Sequence, residues 1–370
     1  MVLYIFNPGH DEALAAHTPY YTDTKAAQML VSHLWSLPSL WAGADDCVCS
    51  QNNLRQMGID WSKVTEIRPW GWDAALCHRL QIAGAPPHLL PTSDDLEFFR
   101  TLSSRASAVR LLEAVPHDPI CRNRWCESEE DIRQCLTDYG DAVIKAPWSC
   151  SGRGVFTTKD MSAEAVWSRA RNILRRQGAV EIEPYYTKIE DLALIFEADR
   201  TGRVTYLGLS RFLTAKDGGY IGNEVNAQHI GQTKVYGKDL RMLIDRYVET
   251  LQTMLMGRYC GVLGVDMMLI KNPAAEYVTH ETSEQKLGTE EAALGTAEAA
   301  LETAELILHP CIELNLRHTM GWVALQLSHH PKIGGRCGMM RIDASKHMGE
   351  NAERLCGDAD LGLFFTPEIT

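Results

Sequence analysis

The sequence predicts an α/β domain at the N-terminus, followed by an α+β region that is rich in antiparallel sheet. The chain opens with a short apolar run, Val2–Phe6, that leads through a turn into the start of a helix. From residue 142 onward, short apolar runs alternate with glycine-rich or polar turns rather than with regularly spaced helices. The length of 370 residues exceeds what one hydrophobic core usually serves, so two or three domains are expected.

The charge balance of the chain favours small-molecule chemistry. The formal net charge is −12, whereas binding to nucleic acid or to an acidic membrane surface usually needs a basic face. Eight Glu and a single Lys between Asn272 and His309 supply much of the acidity. We therefore predict no nucleic-acid partner and no membrane partner.

The cysteines and the apolar runs favour a cytoplasmic protein. The eleven cysteines are an odd number without regular spacing, and neither Cys47 with Cys49 nor Cys121 with Cys126 has a second pair at zinc-ribbon spacing. Free thiols in a reducing compartment are the preferred interpretation. The first residues lack the basic start and the cleavage site of a signal peptide. No apolar run reaches the roughly 18 residues that span a bilayer.

The first hundred residues are expected to form one α/β unit. An Asn-Pro-Gly turn follows the first strand, and Asp11 is a candidate N-cap for the helix that comes next. His10, Asp11 and Glu12 would lie at the C-terminal end of the strand, where open α/β sheets tend to bind ligands. A substrate role and a purely structural role are both compatible with this position.

Apolar periodicity predicts the remaining elements. A helical period at 93–115 ends before Pro116, which marks a domain boundary near that point. The segment 142–157 is predicted to be a hairpin with a flexible tip. Further strands are predicted at 179–186, 192–197, 204–209, 262–270, 306–316 and 361–365, and a helix at 239–257. The Ala- and Glu-rich stretch at about 272–308 lacks the apolar stripe of a docked helix, so a mobile insertion between two strands is expected.

A lysine that ends a strand just before a glycine-rich loop is the most informative feature. Lys145 is followed by the loop 149–154, which reads Ser-Cys-Ser-Gly-Arg-Gly. Gly and Ser let backbone N–H groups approach phosphate oxygens closely, and the lysine adds a compact positive charge. These features favour a polyphosphate site. An ordinary surface hairpin is the alternative, which the loop alone does not exclude.

Three polar residues on a later strand indicate a metal site. Strand alternation places Glu313, Asn315 and Arg317 on one face. Carboxylate and amide oxygens suit a hard cation such as Mg²⁺, although the same pattern is typical of the solvent face of an edge strand. Asp266 favours the metal, because it interrupts an apolar run in which an unpartnered carboxylate would be costly to bury.

The order of these motifs resembles that of the ATP-grasp superfamily. The strand lysine with its glycine loop is followed by an acidic strand, by an Asp-bearing strand and by a Glu-x-Asn-x-Arg strand, and the resemblance covers about 104–321. It implies ATP and Mg²⁺, with Mn²⁺ as a substitute. It also implies an N-terminal α/β domain at 1–103, an ATP-grasp N-terminal subdomain with the glycine loop at 104–182, and a C-terminal subdomain with the insertion at 183–370.

The resemblance implies a role for individual residues. Two residues would be catalytic, namely Lys145 on the ATP phosphates and Arg317 at the acyl-phosphate step. The nucleotide would be bound by Lys145, Ser149, Ser151, Gly152, Gly154, Glu183, Tyr185, Asp191 and Arg105. Among these, Glu183 would meet the adenine amino group, Asp191 would meet the ribose hydroxyls, and Arg105 stands where relatives often carry an ATP-contacting lysine. Metal ions would be held by Asp266, Glu313 and Asn315.

By the same resemblance, the chain would be a ligase that activates a carboxylate as an acyl phosphate for attack by an amine or a similar nucleophile. A phosphotransferase on the same fold and a non-catalytic nucleotide-binding module are the alternatives. The substrates would be a small or peptide-like carboxylate and an amine. Nothing in the sequence identifies them further, although Arg211 and Lys216 would suit an anionic one.

Overall fold

A three-stranded parallel sheet organises the N-terminal part of the protein. The computed structural model describes residues 1–149, 154–215, 218–273 and 306–368. The strands lie in the order β2-β1-β3, and their bounds are β1 Val2–Phe6, β2 Cys47–Ser50 and β3 Glu66–Pro69. The helices of this part are α1 His10–Ala16, α2 Lys25–Leu34 and α3 Ala74–Ile82. Leu3 and Ile5 join one core and Phe6 joins another, so both faces of β1 are covered, as is usual in parallel sheets.

Helix α1 starts earlier than the sequence predicted. Its N-cap is Gly9, and no side chain caps it. The N-cap role predicted for Asp11 is therefore wrong, because the turn enters the helix two residues before that position. Asp11 lies in the first turn instead, and its carboxylate accepts hydrogen bonds from Arg317.

A glycine two residues after the end of β3 makes room for the side chain of His10. His10 is 2% exposed, and a methyl group at Gly71 would lie 2.5 Å from its imidazole ring. We expect Gly71→Ala to lower the free energy of unfolding by about 1–3 kcal/mol, because the ring or the backbone must shift. Urea denaturation measures this difference. Gly349→Ala is the control, since a methyl group there meets no atom within 4 Å, and equal losses in both variants would contradict the prediction.

The segment 93–115 forms two helices rather than one continuous period. Helix α4 spans Ser93–Leu102 and α5 spans Arg105–Ala114. Ser104 is extended and caps α5, with its hydroxyl accepting a hydrogen bond from the Ala106 backbone N–H. A serine side chain that bonds locally in this way competes with helical continuation. The break puts Arg105 in the first turn of α5.

A small antiparallel sheet follows, in the strand order β4-β7-β5-β6. Its strands are β4 Arg124–Cys126, β5 Ala142–Lys145, β6 Val155–Thr157 and β7 Val180–Pro184, and its helices are α6 Glu129–Tyr139 and α7 Ala163–Gln177. The pairing of β5 with β6 confirms the predicted hairpin. Residues 150–153 of its tip, with the predicted site residues Ser151 and Gly152, lie outside the described residues.

An eight-stranded antiparallel sheet forms the largest layer, in the order β14-β13-β8-β9-β10-β15-β17-β16. The elements of this part are β8 Lys188–Ala198, β9 Val204–Thr214, β10 Tyr220–Val225, the two-stranded ribbon β11 Lys234–Val235 and β12 Lys238–Asp239, α8 Arg241–Leu255, β13 Gly261–Lys271, β14 Leu306–Asn315, α9 Met320–Leu327, β15 Gly338–Asp343, β16 Glu353–Gly357 and β17 Gly362–Pro367. Each strand and the helix predicted after residue 178 overlaps an observed element of the same type. Most of the predicted insertion, 274–305, lies outside the described residues.

Apolar cores cover both faces of the large sheet. Helices α4, α5 and α8 pack on one face, where Tyr247 is fully buried and donates a hydrogen bond to the Pro310 carbonyl. Helix α9 packs on the other face, together with Phe6 and Trp70 of the N-terminal part. The ten cysteines that the structure describes are free thiols, as predicted. None of the helices in the described part of the chain combines the length and the apolar character that crossing a bilayer requires.

Candidate active site

The strand lysine faces two buried glutamates. Lys145 is paired in register with Glu181, and Val143 with Glu183, so alternation puts Lys145, Glu181 and Glu183 on the same face of the small sheet. Lys145 Nζ lies 2.7 Å from Glu183 Oε2 and 3.8 Å from Glu181 Oε2. The three residues are at most 4% exposed. A buried positive charge is therefore held at the end of β5, at the start of the glycine-rich loop.

Arg105 connects the small sheet, the loop and the large sheet. Its Nε donates to the Ala146 carbonyl at 3.0 Å, and its Nη2 donates to Ser149 Oγ at 3.2 Å. The same Nη2 lies 3.0 Å from Glu313 Oε1, and Nη1 lies 3.9 Å from Glu181 Oε2. The predicted residues Arg105, Ser149, Lys145, Glu183 and Glu313 thus share one continuous set of contacts.

Burial and charge oppose one another in this cluster. Burial lowers the pKa of Lys145, but the charges of Glu181 and Glu183 outweigh it, so the net pKa is raised and the ammonium form is kept. The pKa of Glu181 is also raised, because burial and the charge of Glu183 together outweigh the lowering effects of Lys145, Arg105 and the hydrogen bond from Asn123. A buried carboxylate near two cations therefore retains affinity for a further positive charge or a proton.

Glu181 belongs to the same buried cluster, although it was not among the residues predicted for the site. It is fully buried, and its Oε1 accepts a hydrogen bond from Asn123 at 2.8 Å. Its Oε2 has no hydrogen-bond partner among the described residues. The alternation of Glu181 and Glu183 along one strand was a sufficient signal, because period two sends both side chains to the face that carries Lys145.

Two neighbouring strands of the large sheet bring the predicted metal ligands together. Asp266 on β13 lies directly opposite Glu313 on β14, and Asn315 Nδ2 donates to Asp266 Oδ2 at 3.1 Å. Burial, together with the charge of Glu313, raises the pKa of Asp266 to about 7, although Arg317 and Asn315 act in the opposite sense. Two neighbouring carboxylates, with the amide oxygen of an adjacent asparagine, are a suitable set of ligands for a divalent cation.

Arg317 follows the end of β14 and contacts the N-terminal domain. Its Nε lies 3.2 Å and 3.0 Å from the two carboxylate oxygens of Asp11, and its Nη2 lies 3.0 Å from Asp11 Oδ2. Its charge also lowers the pKa of Asp266, so it lies within electrostatic range of the carboxylate pair. The next residue, His318, donates its backbone N–H to the Trp70 carbonyl at 2.8 Å.

The other predicted nucleotide residues have separate surroundings. Gly154 has a φ of 75°, in the region that favours glycine, and its carbonyl accepts a hydrogen bond from Ala146. Tyr185 is 42% exposed, and its backbone N–H donates to Asp141. Asp191 is bonded to Lys188 and Thr214 at 2.6 Å each, and its charge contributes to the raised pKa of Asp266. Among the described residues, no hydrogen bond or ion pair joins Tyr185 or Asp191 directly to the central cluster. Their predicted roles stay predictions, as do those of Ser151 and Gly152.

A buried histidine lies near the cluster. His309 on β14 is fully buried, its ring centroid lies 5.4 Å from that of Tyr186, and neither ring nitrogen has a hydrogen-bond partner among the described residues. Burial, helped by the charge of Lys145, lowers the pKa of His309 to about 3. The imidazole is therefore neutral in the folded protein.

This histidine should make the protein acid-sensitive. The unfolded chain protonates it below pH 6.5 and the folded protein only near pH 3, so its contribution to stability is complete above pH 6.5 and is lost as the pH falls. When the pH falls from 7.5 to 4.5, the free energy of unfolding of the wild type should drop by roughly 2–3 kcal/mol more than that of His309→Leu. Urea denaturation at both pH values measures this, and parallel profiles would contradict the prediction.

The fold of the chain is similar to that of solved ATP-grasp structures. No protein-family model and no curated protein sequence matches the chain. Among solved structures, it is similar to N5-carboxyaminoimidazole synthetase from Staphylococcus aureus in complex with ADP, with a TM-score of 0.52 and 11% identity over 100% of this chain and 93% of that one. It is also similar to biotin carboxylase from Campylobacter jejuni in a nucleotide complex, with a TM-score of 0.51 and 13% identity over 99% and 87% of the two chains.

A third similar structure is N5-carboxyaminoimidazole ribonucleotide synthetase from Thermus thermophilus, with a TM-score of 0.50 and 14% identity over 100% of this chain and 94% of that one. The coverage extends from the N-terminal sheet to the last strands. The chain thus has the ATP-grasp fold, as the order of its motifs predicted. At these identities the similarity carries the fold and not the substrate.

Proposed function

We propose that this protein is an ATP- and Mg²⁺-dependent ligase that activates a carboxylate as an acyl phosphate for attack by an amine or a similar nucleophile. The observation that carries the proposal is the convergence of two groups of charged residues, one from the small sheet and α5 and the other from the large sheet. Lys145 and Arg105 supply positive charge on one side, and Asp266 with Glu313 supplies carboxylate oxygens on the other. Arg105 joins the two groups through its contact with Glu313.

The carboxylate pair fits a divalent cation. Asp266 and Glu313 are cross-strand partners in a largely buried position, and the mutual repulsion and burial that raise the pKa of Asp266 would be relieved by a bound cation. Asn315 lies beside the pair, with its Nδ2 donating to Asp266 Oδ2, and its amide oxygen would be available as a further ligand if the side chain turned towards the cation. When bound, Mg²⁺ would neutralise phosphate charge at this position.

The protein's own residues have complementary tasks in this reaction. Lys145 and Arg105 would bind the polyphosphate and balance the charge that spreads over the phosphoryl oxygens. Arg317 would stabilise the transferring group, from a position beside Asp266. Glu183 would accept a hydrogen bond from the adenine amino group. Its carboxylate would then interact with both the adenine and Lys145. The glycine-rich loop would exclude water, which otherwise hydrolyses an acyl phosphate.

The carboxylate and the amine are proposed only as chemical classes. The similar synthetase and carboxylase structures contain ADP or an ATP analogue, which supports nucleotide use by this chain without identifying its acceptor. Arg211, one of the residues predicted to suit an anionic substrate, is paired with Glu190 at 2.9 Å, and Lys216 lies outside the described residues.

Ligand-dependent stability tests the proposal. The full chain is heated with Mg²⁺ alone and with Mg²⁺ plus a non-hydrolysable ATP analogue. A ligand at a hundred times its Kd stabilises the folded state by about 2.7 kcal/mol, so a clear rise in Tm is expected, and removal of the metal by a chelator should reverse most of it. No rise at millimolar analogue would overturn the proposal.

Product analysis separates the ligase from its alternatives. Panels of carboxylates and amines are incubated with ATP, and ADP release is followed together with the mass of the product. An amide product supports the ligase. A phosphorylated product without an amide identifies a phosphotransferase, and binding without ADP release for the whole panel favours a nucleotide-binding module.

A further inference from the structure

We propose that Asp11, in the N-terminal domain, is a positioning residue that orients the Arg317 guanidinium for phosphoryl transfer; this inference rests on the function proposed above. The two side chains form a two-point contact, in which Nε and Nη2 of Arg317 face the two oxygens of Asp11 at 3.0–3.2 Å. The arginine side chain is 18% exposed and the aspartate side chain 17% exposed. Paired contacts of this kind fix the plane of the guanidinium as well as its distance.

Arg317 needs such a partner because of where it lies. Strand β14 ends at Asn315, so the ladder that holds Glu313 opposite Asp266 does not extend to Arg317. A long arginine side chain loses about 2 kcal/mol of rotamer entropy when it is fixed. If that ordering is complete before the substrate binds, less of it opposes the transition state.

The backbone next to Arg317 is fixed by a separate contact. The His318 backbone N–H donates to the Trp70 carbonyl at 2.8 Å, and His318 Nδ1 lies 3.1 Å from the Pro69 carbonyl. These contacts tie the residue after Arg317 to the end of β3. Asp11 therefore controls the side chain of Arg317, whereas β3 controls the path of its backbone.

The Asp11 carboxylate lies in the first turn of α1, where an acidic side chain favours the helix through its dipole, but its hydrogen bonds go to Arg317. It does not cap α1, whose N-cap is Gly9 without a side-chain bond. Its charge reaches the site, because it contributes to the raised pKa of Arg105, for which burial is the larger and opposing influence. A carboxylate from the N-terminal domain thus contacts Arg317 and also acts electrostatically on Arg105.

The test compares binding of Mg·ADP with binding of Mg·ADP plus aluminium fluoride, which forms a planar mimic of a transferring phosphoryl group. Calorimetry or Tm of the full chain gives both affinities. In the wild type, aluminium fluoride is expected to raise the affinity for Mg·ADP. In Asp11→Asn, the affinity for Mg·ADP alone should stay within about twofold of the wild-type value, because ADP lacks the transferring group. The increase in affinity that aluminium fluoride causes should be at least tenfold smaller than in the wild type, which corresponds to about 1.4 kcal/mol.

Two further variants make the result specific. Glu353→Gln removes one partner of the ion pair with Arg336 far along the large sheet, and both affinities should stay unchanged. Arg317→Lys keeps the charge but loses the two-point contact, so it should reduce the fluoride effect, and adding Asp11→Asn to it should cause little further loss, because the two residues act through one contact.

The outcomes separate this inference from the proposed function. If the wild type does not bind Mg·ADP, both are overturned. If the wild type responds to fluoride and Asp11→Asn responds equally, the positioning role is wrong and the ATP site stands. If Asp11→Asn loses Mg·ADP affinity and the fluoride effect to the same degree, or if its effect simply adds to that of Arg317→Lys, Asp11 is a structural residue and the inference is also overturned.

Discussion

Lys145→Met is expected to abolish the stabilisation that Mg²⁺ and an ATP analogue confer, and to lower the free energy of unfolding by about 3–5 kcal/mol without ligand. The second effect arises because removal of one member of a buried ion pair leaves the other charge uncompensated. Glu183 lies 2.7 Å from the ammonium group and is buried with it. The first effect arises because the phosphates lose the positive charge at the end of β5. Chemical denaturation with and without ligand measures both.

Two further variants separate lost binding from lost folding. Lys145→Met combined with Glu181→Gln removes one buried carboxylate together with the cation, so part of the stability should return while the nucleotide response stays absent. Lys63→Met is the matched control, because Lys63 is an exposed lysine paired with Asp60, and surface pairs contribute little. A normal nucleotide response in Lys145→Met would contradict the assignment of the phosphate site.

Asp266→Asn is expected to abolish the metal-dependent part of nucleotide binding and to lower turnover by roughly 100-fold or more, as loss of a major electrostatic contact in an active site does. Without metal, the same variant should be as stable as the wild type or more stable, by a few kcal/mol at most. The reason is that the folded state disfavours the charged form of Asp266, whose pKa is raised to about 7 by burial and by Glu313. Opposite signs for stability and activity are the signature of a functional carboxylate.

The stability gain of Asp266→Asn should depend on pH in a defined direction. A carboxyl group with a raised pKa in the folded state destabilises the protein as the pH rises from about 4 towards about 7, and the asparagine removes this loss. Denaturation at pH 5 and pH 8 therefore tests the assignment, and the gain should be larger at pH 8. Asp245→Asn, at an exposed position on α8, is the control. A loss of stability in Asp266→Asn at pH 8 would contradict the account.

Local patterns in the sequence were sufficient for most elements and for several site residues. Short apolar runs located β8, β9, β13 and β14, because such a run is a property of a few consecutive residues. Strand alternation placed Glu313 and Asn315 on one face, and the unusual carboxylate of Asp266 in an apolar run indicated a partner on a neighbouring strand. The register of β13 and β14 provides that partner.

The predictions that depended on the exact start or end of a helix fared less well. Asp11 was expected to cap α1, and 93–115 was expected to form a single helical period. In both places the outcome is decided by which group satisfies the first backbone N–H groups of a helix. Gly9 begins α1 without a side-chain cap, and the Ser104 hydroxyl interrupts the longer period. Such choices differ by about 1 kcal/mol, so contacts elsewhere in the protein can decide them.

The sequence by itself determined the fold class, the order of the strands that carry the candidate site, and the choice of Lys145, Asp266 and Glu313 as candidates, because each depends on side-chain type and on local periodicity. Only the tertiary structure decided which charges meet. The pairing of Arg105 with Glu313 joins residues about two hundred positions apart, and the pairing of Asp11 with Arg317 joins residues about three hundred positions apart. No local pattern specifies such contacts, since they arise from the packing of three sheets against one another and from the need to match buried charges.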